Sequence, residues 1–197
     1  RTKPLDAMHI DWLDKLPKAE LHRHIGGCLD LKAQRQVAEA VWQSMTQQEQ
    51  QRASAHCRLL LQSIQWPWDW PEVLKNQGVR SHNSAALLKL ADNEQLQNNL
   101  WRCTEPRIAL TSRHQQGFAA YERPGELTGS AILSHPAAIE PYAQAIVEQA
   151  VQEGLAYIEL RGSPQKYGDG LVFLESFYSA LKKALTSLPD SKKPQFR

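Results

Sequence analysis

The sequence predicts an α/β fold with a parallel sheet, and three observations lead to this prediction. Residues 134–197 read as helix, strand, helix and the start of a further strand, an order typical of parallel sheets. Residues 19–25 alternate loosely between apolar and polar and end at a Gly-Gly pair, as a strand before a turn does. The chain has 197 residues, of which 42% are apolar and 22% charged, enough for one domain with a real core.

Two amphipathic helices are predicted after the first strand. Asp30 has the side chain of a helix N-cap, and its helix should run to about Met45. The apolar stripe of this helix is Val37, Val41 and Met45. Thr46 and Glu49 form a T-x-x-E capping box that starts the second helix. The apolar residues of the second helix are Ala53, Cys57, Leu60, Leu61 and Ile64.

The segment WPWDWP, residues 66–71, ends the second helix, because each proline removes an amide donor and restricts the residue before it. Its three indoles are expected to cover the core, and a ligand-stacking or partner-binding patch is the alternative. Residues 84–103 are predicted to be helical again. The leucines available there for burial are Leu87, Leu88, Leu96 and Leu100.

The second half of the chain has the clearest pattern. Pro136 stands where a helix starts and Gly154 where it ends. Its apolar face is Ile139, Tyr142, Ile146, Val147 and Ala150. The compact run LAYIEL, residues 155–160, follows as a strand, and another amphipathic helix is predicted over 171–188. The stripe of that helix is Leu174, Phe177, Leu181, Leu185 and Leu188. A polar loop then leads to QFR as the start of another strand.

Composition argues against several classes of protein. No apolar run approaches the roughly 20 residues that cross a bilayer, and the N-terminus lacks the apolar core of a signal peptide, so we expect a cytoplasmic protein without membrane contact. The 23 basic and 21 acidic side chains are scattered, which gives no electrostatic footprint for nucleic acid. Cys28, Cys57 and Cys103 form no C-x-x-C pair and are expected to be reduced thiols.

Two histidines one residue apart, His22 and His24, end the first predicted strand. Alternate residues of a strand point to the same face, so both imidazoles can reach one point while Arg23 points away. Imidazole binds zinc at about 2.0 to 2.1 Å, but a catalytic zinc usually has three or more protein ligands, so at least one more must come from elsewhere. Alone, H-x-H favours ordinary structural histidines. Its position before glycines, at the carboxyl end of a strand, is where α/β barrels keep their chemistry.

The remaining histidines show neither an H-E-x-x-H helix nor a neighbouring acid at ligand spacing, so each is expected to be structural or exposed. These residues are His9, His56, His82, His114 and His135. The H-x-E with P-C-x-x-C signature of cytidine-type zinc deaminases is also missing.

Three segments resemble the adenosine deaminase family, in the family's order. LPKAELHRHIGG, residues 16–27, is similar to its opening motif, commonly Leu-Pro-Lys-x-Glu-Leu-His-x-His-Leu-(Asp or Glu)-Gly. GFAAYERPGELTGS, residues 117–130, resembles its Phe-rich segment, and YIELRGSP, residues 157–164, resembles its second barrel strand. The resemblance implies that residues 1–197 are the N-terminal portion of one (β/α)₈ deaminase barrel, with 30–117 a mainly helical insertion.

The same resemblance implies a zinc enzyme that deaminates adenine, with His22 and His24 as two metal ligands. The third histidine, the aspartate and the catalytic glutamate of the family come from later strands, which we expect in the same polypeptide beyond Arg197 or in a partner chain. Gly26 replaces the family's acidic residue, which contacts the sugar. Losing that carboxylate reduces repulsion toward a 5′-phosphate, so we expect a nucleotide or polynucleotide substrate that Gly26 helps to admit. Ser163 is a further candidate for the substrate pocket.

An enlarged deaminase of this kind resembles the deaminase component of RADAR-type bacterial antiphage defence systems, which implies a homo-oligomer and an ATPase partner. Two alternatives remain open at this point. A metal-dependent phosphoesterase barrel can also begin with H-x-H and would bind more than one metal. A scaffold protein would bind none, and its histidines would be incidental. Glu159 and Arg161 are expected to form a structural charge pair rather than to act in catalysis.

Overall fold

The computed structural model describes residues 7–62, 72–96 and 117–197. In this part of the chain, helices pack on a small parallel sheet, which confirms the predicted α/β class. The predictions for residues 66–71 and for Ile64, Leu100, Cys103 and His114 lie outside the described residues.

The described elements follow one another in a simple order. The strands are β1 (Lys18–His24), β2 (Leu155–Arg161) and β3 (Gln195–Phe196). The helices are α1 (Ala7–Lys15), α2 (Leu31–Ser44), α3 (Gln47–Leu61), α4 (Arg80–Leu90), α5 (Asn93–Gln95), α6 (Ala119–Leu127), α7 (Gly129–Ile132), α8 (Pro136–Gln152) and α9 (Gly170–Thr186). Short 3₁₀ turns lie at Ile25–Gly27, Glu72–Lys75, Gln77–Val79, Pro164–Tyr167 and Asp190–Lys192. None of these helices is both long and apolar enough to cross a membrane.

The sheet has β2 in its centre, with β1 on one side and β3 on the other, and both pairings are parallel. Its register places His24 opposite Arg161. The pairing is irregular between Glu20 and Arg23, where β1 has one residue more than β2. Ile158 of β2 is fully buried against the helices. The opposite face of the sheet carries exposed side chains, including both histidines of β1.

The core lies between the helices and one face of the sheet. Helix α2 packs on α4 and α8, α3 packs on α4, and α8 packs on both α9 and β2. Among the largest fully buried side chains are Leu60, Leu87, Leu88, Ile132, Leu133, Tyr142 and Ile146. The parallel register of the sheet places the carboxyl ends of β1 and β2 side by side.

The helix caps read from the sequence are confirmed. The Asp30 side chain accepts a 2.8 Å hydrogen bond from the Ala33 amide at the start of α2. Thr46 and Glu49 form the predicted capping box at the start of α3. Helix α8 ends at a glycine, Gly154, whose φ of +67° few other residues adopt without strain.

The structure corrects two expectations for the helices. The helix expected over 84–103 is interrupted, because α4 ends at Leu90. Asp92 then forms a capping box with Gln95 and starts a new helix. Leu174 is half exposed, and the buried stripe of α9 contains Phe173 in its place. Helix α1 was not predicted from the sequence. The described part of 30–117 is helical, and its status as an insertion into a barrel stays a prediction.

Candidate metal centre

His22 and His24 bring their ring nitrogens together on the exposed face of β1. The two Nε2 atoms are 3.1 Å apart, and the ring centroids are 4.9 Å apart with the planes inclined by 48°. Arg23 lies on the other face, where its Nη2 is 2.5 Å from a Glu153 carboxylate oxygen. The alternation of side chains along the strand therefore produces the convergence that the sequence predicts.

The spacing of the two nitrogens fits two ligands of one zinc ion. Nitrogens that each lie about 2.05 Å from a tetrahedral zinc are about 3.3 Å apart, close to the 3.1 Å observed between His22 and His24. The same distance also suits a hydrogen bond from a protonated Nε2 of one neutral ring to the other ring. The geometry alone is thus compatible with a metal pair and with a simple histidine contact.

Two histidines are an incomplete ligand set. Among the residues that the structure describes, no three His, Cys, Asp or Glu side chains are placed to hold one metal ion together. Glu20 accepts a 3.2 Å hydrogen bond from the His22 amide through its Oε1, so its carboxylate orients the strand. The prediction that other ligands come from elsewhere stays a prediction.

Strand β2 carries three polar side chains, linked by hydrogen bonds, near the histidine pair. The Tyr157 hydroxyl donates a 3.0 Å hydrogen bond to one carboxylate oxygen of Glu159, and Arg161 Nη2 lies 2.5 Å from the other. These residues alternate along β2, and the register places Arg161 beside His24. The expected charge pair between Glu159 and Arg161 therefore forms.

A buried tyrosine, Tyr142, forms a hydrogen bond with the turn that follows His24. The Tyr142 hydroxyl donates a 2.7 Å hydrogen bond to the Ile25 carbonyl oxygen, and Cys28 Sγ donates a 3.2 Å hydrogen bond to the same oxygen. Burial raises the pKa of the Cys28 thiol to about 12, so this thiol is not a nucleophile at neutral pH. The sequence predicted that Tyr142 is buried, but it gave no signal for this contact.

Gly26 packs tightly rather than opening space. A Cβ at this position would lie 2.8 Å from Ser130 Cβ and 3.1 Å from the Tyr167 hydroxyl, too close for a side chain. Tyr167 is buried, which raises the pKa of its hydroxyl, although a hydrogen bond with Ser130 partly offsets this effect. Two neutral hydroxyl groups thus occupy the space beside position 26. Its assignment to substrate binding stays a prediction.

Ser163 is half-buried and precedes the 3₁₀ turn that follows β2. Its carbonyl oxygen accepts a 2.9 Å hydrogen bond from the Lys166 amide. This places Ser163 at the same end of the sheet as His24, two residues after Arg161. Its proposed place in a substrate pocket stays a prediction.

Three of the other histidines are half-buried in helix contacts. The rings of His82 and His135 are in tilted contact, with their centroids 5.4 Å apart and their planes inclined by 51°. His56 Nδ1 lies 3.0 Å from Asn83 Oδ1. His135 is the N-cap of α8, where its Nδ1 accepts a 3.2 Å hydrogen bond from the Ala137 amide. These contacts are structural, as expected.

Comparison with models of known protein families gives no match, and comparison with curated proteins gives no similar sequence.

Proposed function

We propose that this chain supplies the first strands of a (β/α)₈ barrel, binds zinc through His22 and His24, and takes part in hydrolytic deamination of adenine in a nucleoside, nucleotide or RNA. The 3.1 Å approach of the two Nε2 atoms carries the proposal. It occurs at the carboxyl end of a parallel strand, where barrel enzymes place their active sites. The three segments similar to adenosine deaminases supply the reaction class.

In this proposal, adenine and water give hypoxanthine and ammonia. Bound zinc would supply a water acidic enough to ionise near neutral pH. The chain's own contribution is to hold the ion with His22 and His24 and to fix the turn after them through the Tyr142 hydrogen bond.

The exposed sheet face supports the idea that further strands complete the site. Parallel sheets are normally covered on both faces, whereas His22, His24 and Arg161 are exposed here. We infer that the missing ligands and the catalytic acid lie on additional strands, in the same polypeptide or in a partner chain. Homo-oligomers, an ATPase partner and a role in antiphage defence rest on the resemblance alone, and the proposed cytoplasmic location rests on the N-terminal sequence and composition.

Metal content per chain tests the proposal. The longest natural form of the protein would be compared by plasma mass spectrometry with a His22→Ala, His24→Ala double variant, with His9→Ala as the histidine control. We expect close to one zinc per chain in the natural form and in the control, and none in the double variant. Ammonia release from adenosine, AMP, ATP and RNA then tests the reaction.

The same measurement separates the alternatives. Two or three metals per chain would favour the phosphoesterase. No metal in any of the three proteins would leave His22 and His24 as an ordinary hydrogen-bonded pair and favour a scaffold. Circular dichroism of the double variant is needed beside the metal content, because an unfolded variant would lose metal for a trivial reason.

A further inference from the structure

Arg161 is the cationic side chain that β2 presents beside the histidine pair. It is the last residue of the strand and lies opposite His24 in the parallel register, so both side chains leave the same face of the sheet. Neighbouring strands are about 4.8 Å apart. The Arg161 side chain is therefore long enough for its guanidinium to reach a ligand bound at the histidines.

The ion pair of Arg161 orients its guanidinium without using most of its donors. Within the described residues, its recorded hydrogen bond runs from Nη2 to Glu159. A guanidinium has five N–H donors, so one such bond leaves several for another acceptor. The Arg161 side chain is 52% exposed, whereas that of Glu159 is 18% exposed. Glu159 thus holds one edge of the guanidinium through Nη2, while about half of the Arg161 side chain stays exposed.

Two other arginines, Arg23 and Arg35, have structural roles and differ from Arg161 in their contacts and exposure. Arg23 pairs with Glu153, and its side chain is only 16% exposed. Arg35 donates to the carbonyl oxygens of Leu88 and Ala91 at the end of α4, with distances of 2.7 and 2.8 Å. Both guanidinium groups are turned into the protein. Arg161 differs, because it lies on an open face next to the candidate metal centre.

We propose that Arg161 binds a phosphate group of the substrate, so that the substrate is an adenine nucleotide rather than the free nucleoside. This inference rests on the proposed function. Guanidinium and phosphate match geometrically, because two parallel N–H donors can meet two phosphate oxygens.

Ligand binding to the longest natural form of the protein tests the inference. Adenosine, AMP, ATP and a short adenine-containing RNA would be titrated calorimetrically at two salt concentrations. The natural protein should bind AMP more tightly than adenosine, and less tightly at high salt. Arg161→Gln should weaken AMP binding by about 10- to 100-fold, as expected for a hydrogen bond to a charged group, and should leave adenosine binding unchanged.

Two further variants sharpen the comparison. Arg161→Lys retains the charge without the planar fork and should fall between the natural protein and Arg161→Gln. Lys166→Gln removes a positive charge from an exposed side chain in the turn after β2 and should leave the AMP affinity unchanged. For turnover, Arg161→Gln should raise KM for AMP while kcat for adenosine stays the same.

Several results would overturn the inference. Equal losses for adenosine and AMP would make Arg161 a structural residue, and unchanged AMP binding in Arg161→Gln would remove its role. Binding of the RNA without binding of AMP or ATP would favour a polynucleotide substrate, and no binding of any adenine compound would exclude the ligand class. Zinc content and adenosine deamination are measured separately, so the proposed function can stand while this inference fails.

Discussion

The hydroxyl of Tyr142 donates a 2.7 Å hydrogen bond to the carbonyl oxygen of Ile25, the residue directly after His24. The two residues are 117 positions apart in the chain, and Tyr142 is fully buried. A helix on one side of the sheet thereby fixes the turn that follows the candidate metal ligands. The contact links stability of the fold to the geometry of the site.

Tyr142→Phe should destabilise the protein by about 1–2 kcal/mol, because the Ile25 carbonyl loses the 2.7 Å hydrogen bond from the Tyr142 hydroxyl. Urea denaturation measures the change. Zinc affinity should fall as well, since the turn after His24 becomes less constrained. Tyr178→Phe is the matched control, because Tyr178 is an exposed residue of α9. Equal stability of the two variants would refute this role of Tyr142.

Gly26→Ala should destabilise the fold by about 1–3 kcal/mol through overpacking against Ser130 and Tyr167. Ser130→Gly in the same chain removes the nearest clash and should restore part of the loss. A double-mutant cycle from denaturation curves measures this coupling. Gly125→Ala is the control, because its Cβ would lie 3.9 Å from Ser130 Cβ, an ordinary contact. Additive losses at positions 26 and 130 would contradict the packing argument.

Acidification should weaken the start of α8. Burial lowers the pKa of His135, as does the neighbouring His82, while Glu49 acts in the opposite direction. The folded state therefore resists protonation, so the contribution of neutral His135 is present above the unfolded pKa of about 6.5. It is lost as the pH falls through the lower folded pKa. Protonation at Nδ1 also removes the acceptor for the Ala137 amide.

Thermal denaturation between pH 7.5 and 5 checks this pH dependence. His135→Asn keeps a good N-cap without a titrating ring, so its melting temperature should fall less over the same range. His9→Asn alters an exposed histidine and should behave as the natural protein does. An identical pH response in His135→Asn would exclude the mechanism.

The thiols of Cys28 and Cys57 should not react in the folded protein. Burial raises the pKa of each to about 12, so the thiolate is scarce at pH 8. A Cys103→Ser variant isolates these two groups for titration with Ellman's reagent. Colour should develop only after unfolding in guanidinium. Rapid reaction of either thiol in the native protein would show that the core around it opens readily.

Local signals predicted most of the secondary structure. Asp30 and the Thr46–Glu49 pair are short sequence signals that predict where two helices begin. The spacing of His22 and His24 in a strand predicts that their side chains converge. The break before Asp92 also has a local signal, the capping box with Gln95, but the leucine spacing across 84–103 favours a continuous helix. Local sequence signals predict helix boundaries well where the capping residues and the apolar spacing agree.

Contacts between distant segments of the chain could not be predicted from local sequence patterns. Phe173 and Leu174 are adjacent and similarly apolar, so tertiary packing, including the contact of Phe173 with Tyr167, decides which one is buried. The hydrogen bond between Tyr142 and Ile25 joins distant segments, and no periodicity signals it. The exposure of Arg161 depends on what covers the sheet. The convergence of His22 and His24 and the pair of Glu159 with Arg161 could therefore be predicted, whereas the Tyr142 contact could not.

The pairing of β1 with β2 also has a kinetic consequence. Arg23 of β1 pairs with Glu153, the C-cap of α8, and the two residues are 130 positions apart in sequence. Bringing β1 to α8 and β2 therefore carries a large entropic cost. The unit α8–β2–α9–β3 is local and should form earlier. We expect β1 to dock last, with the histidine pair reaching its final geometry only in the nearly native chain.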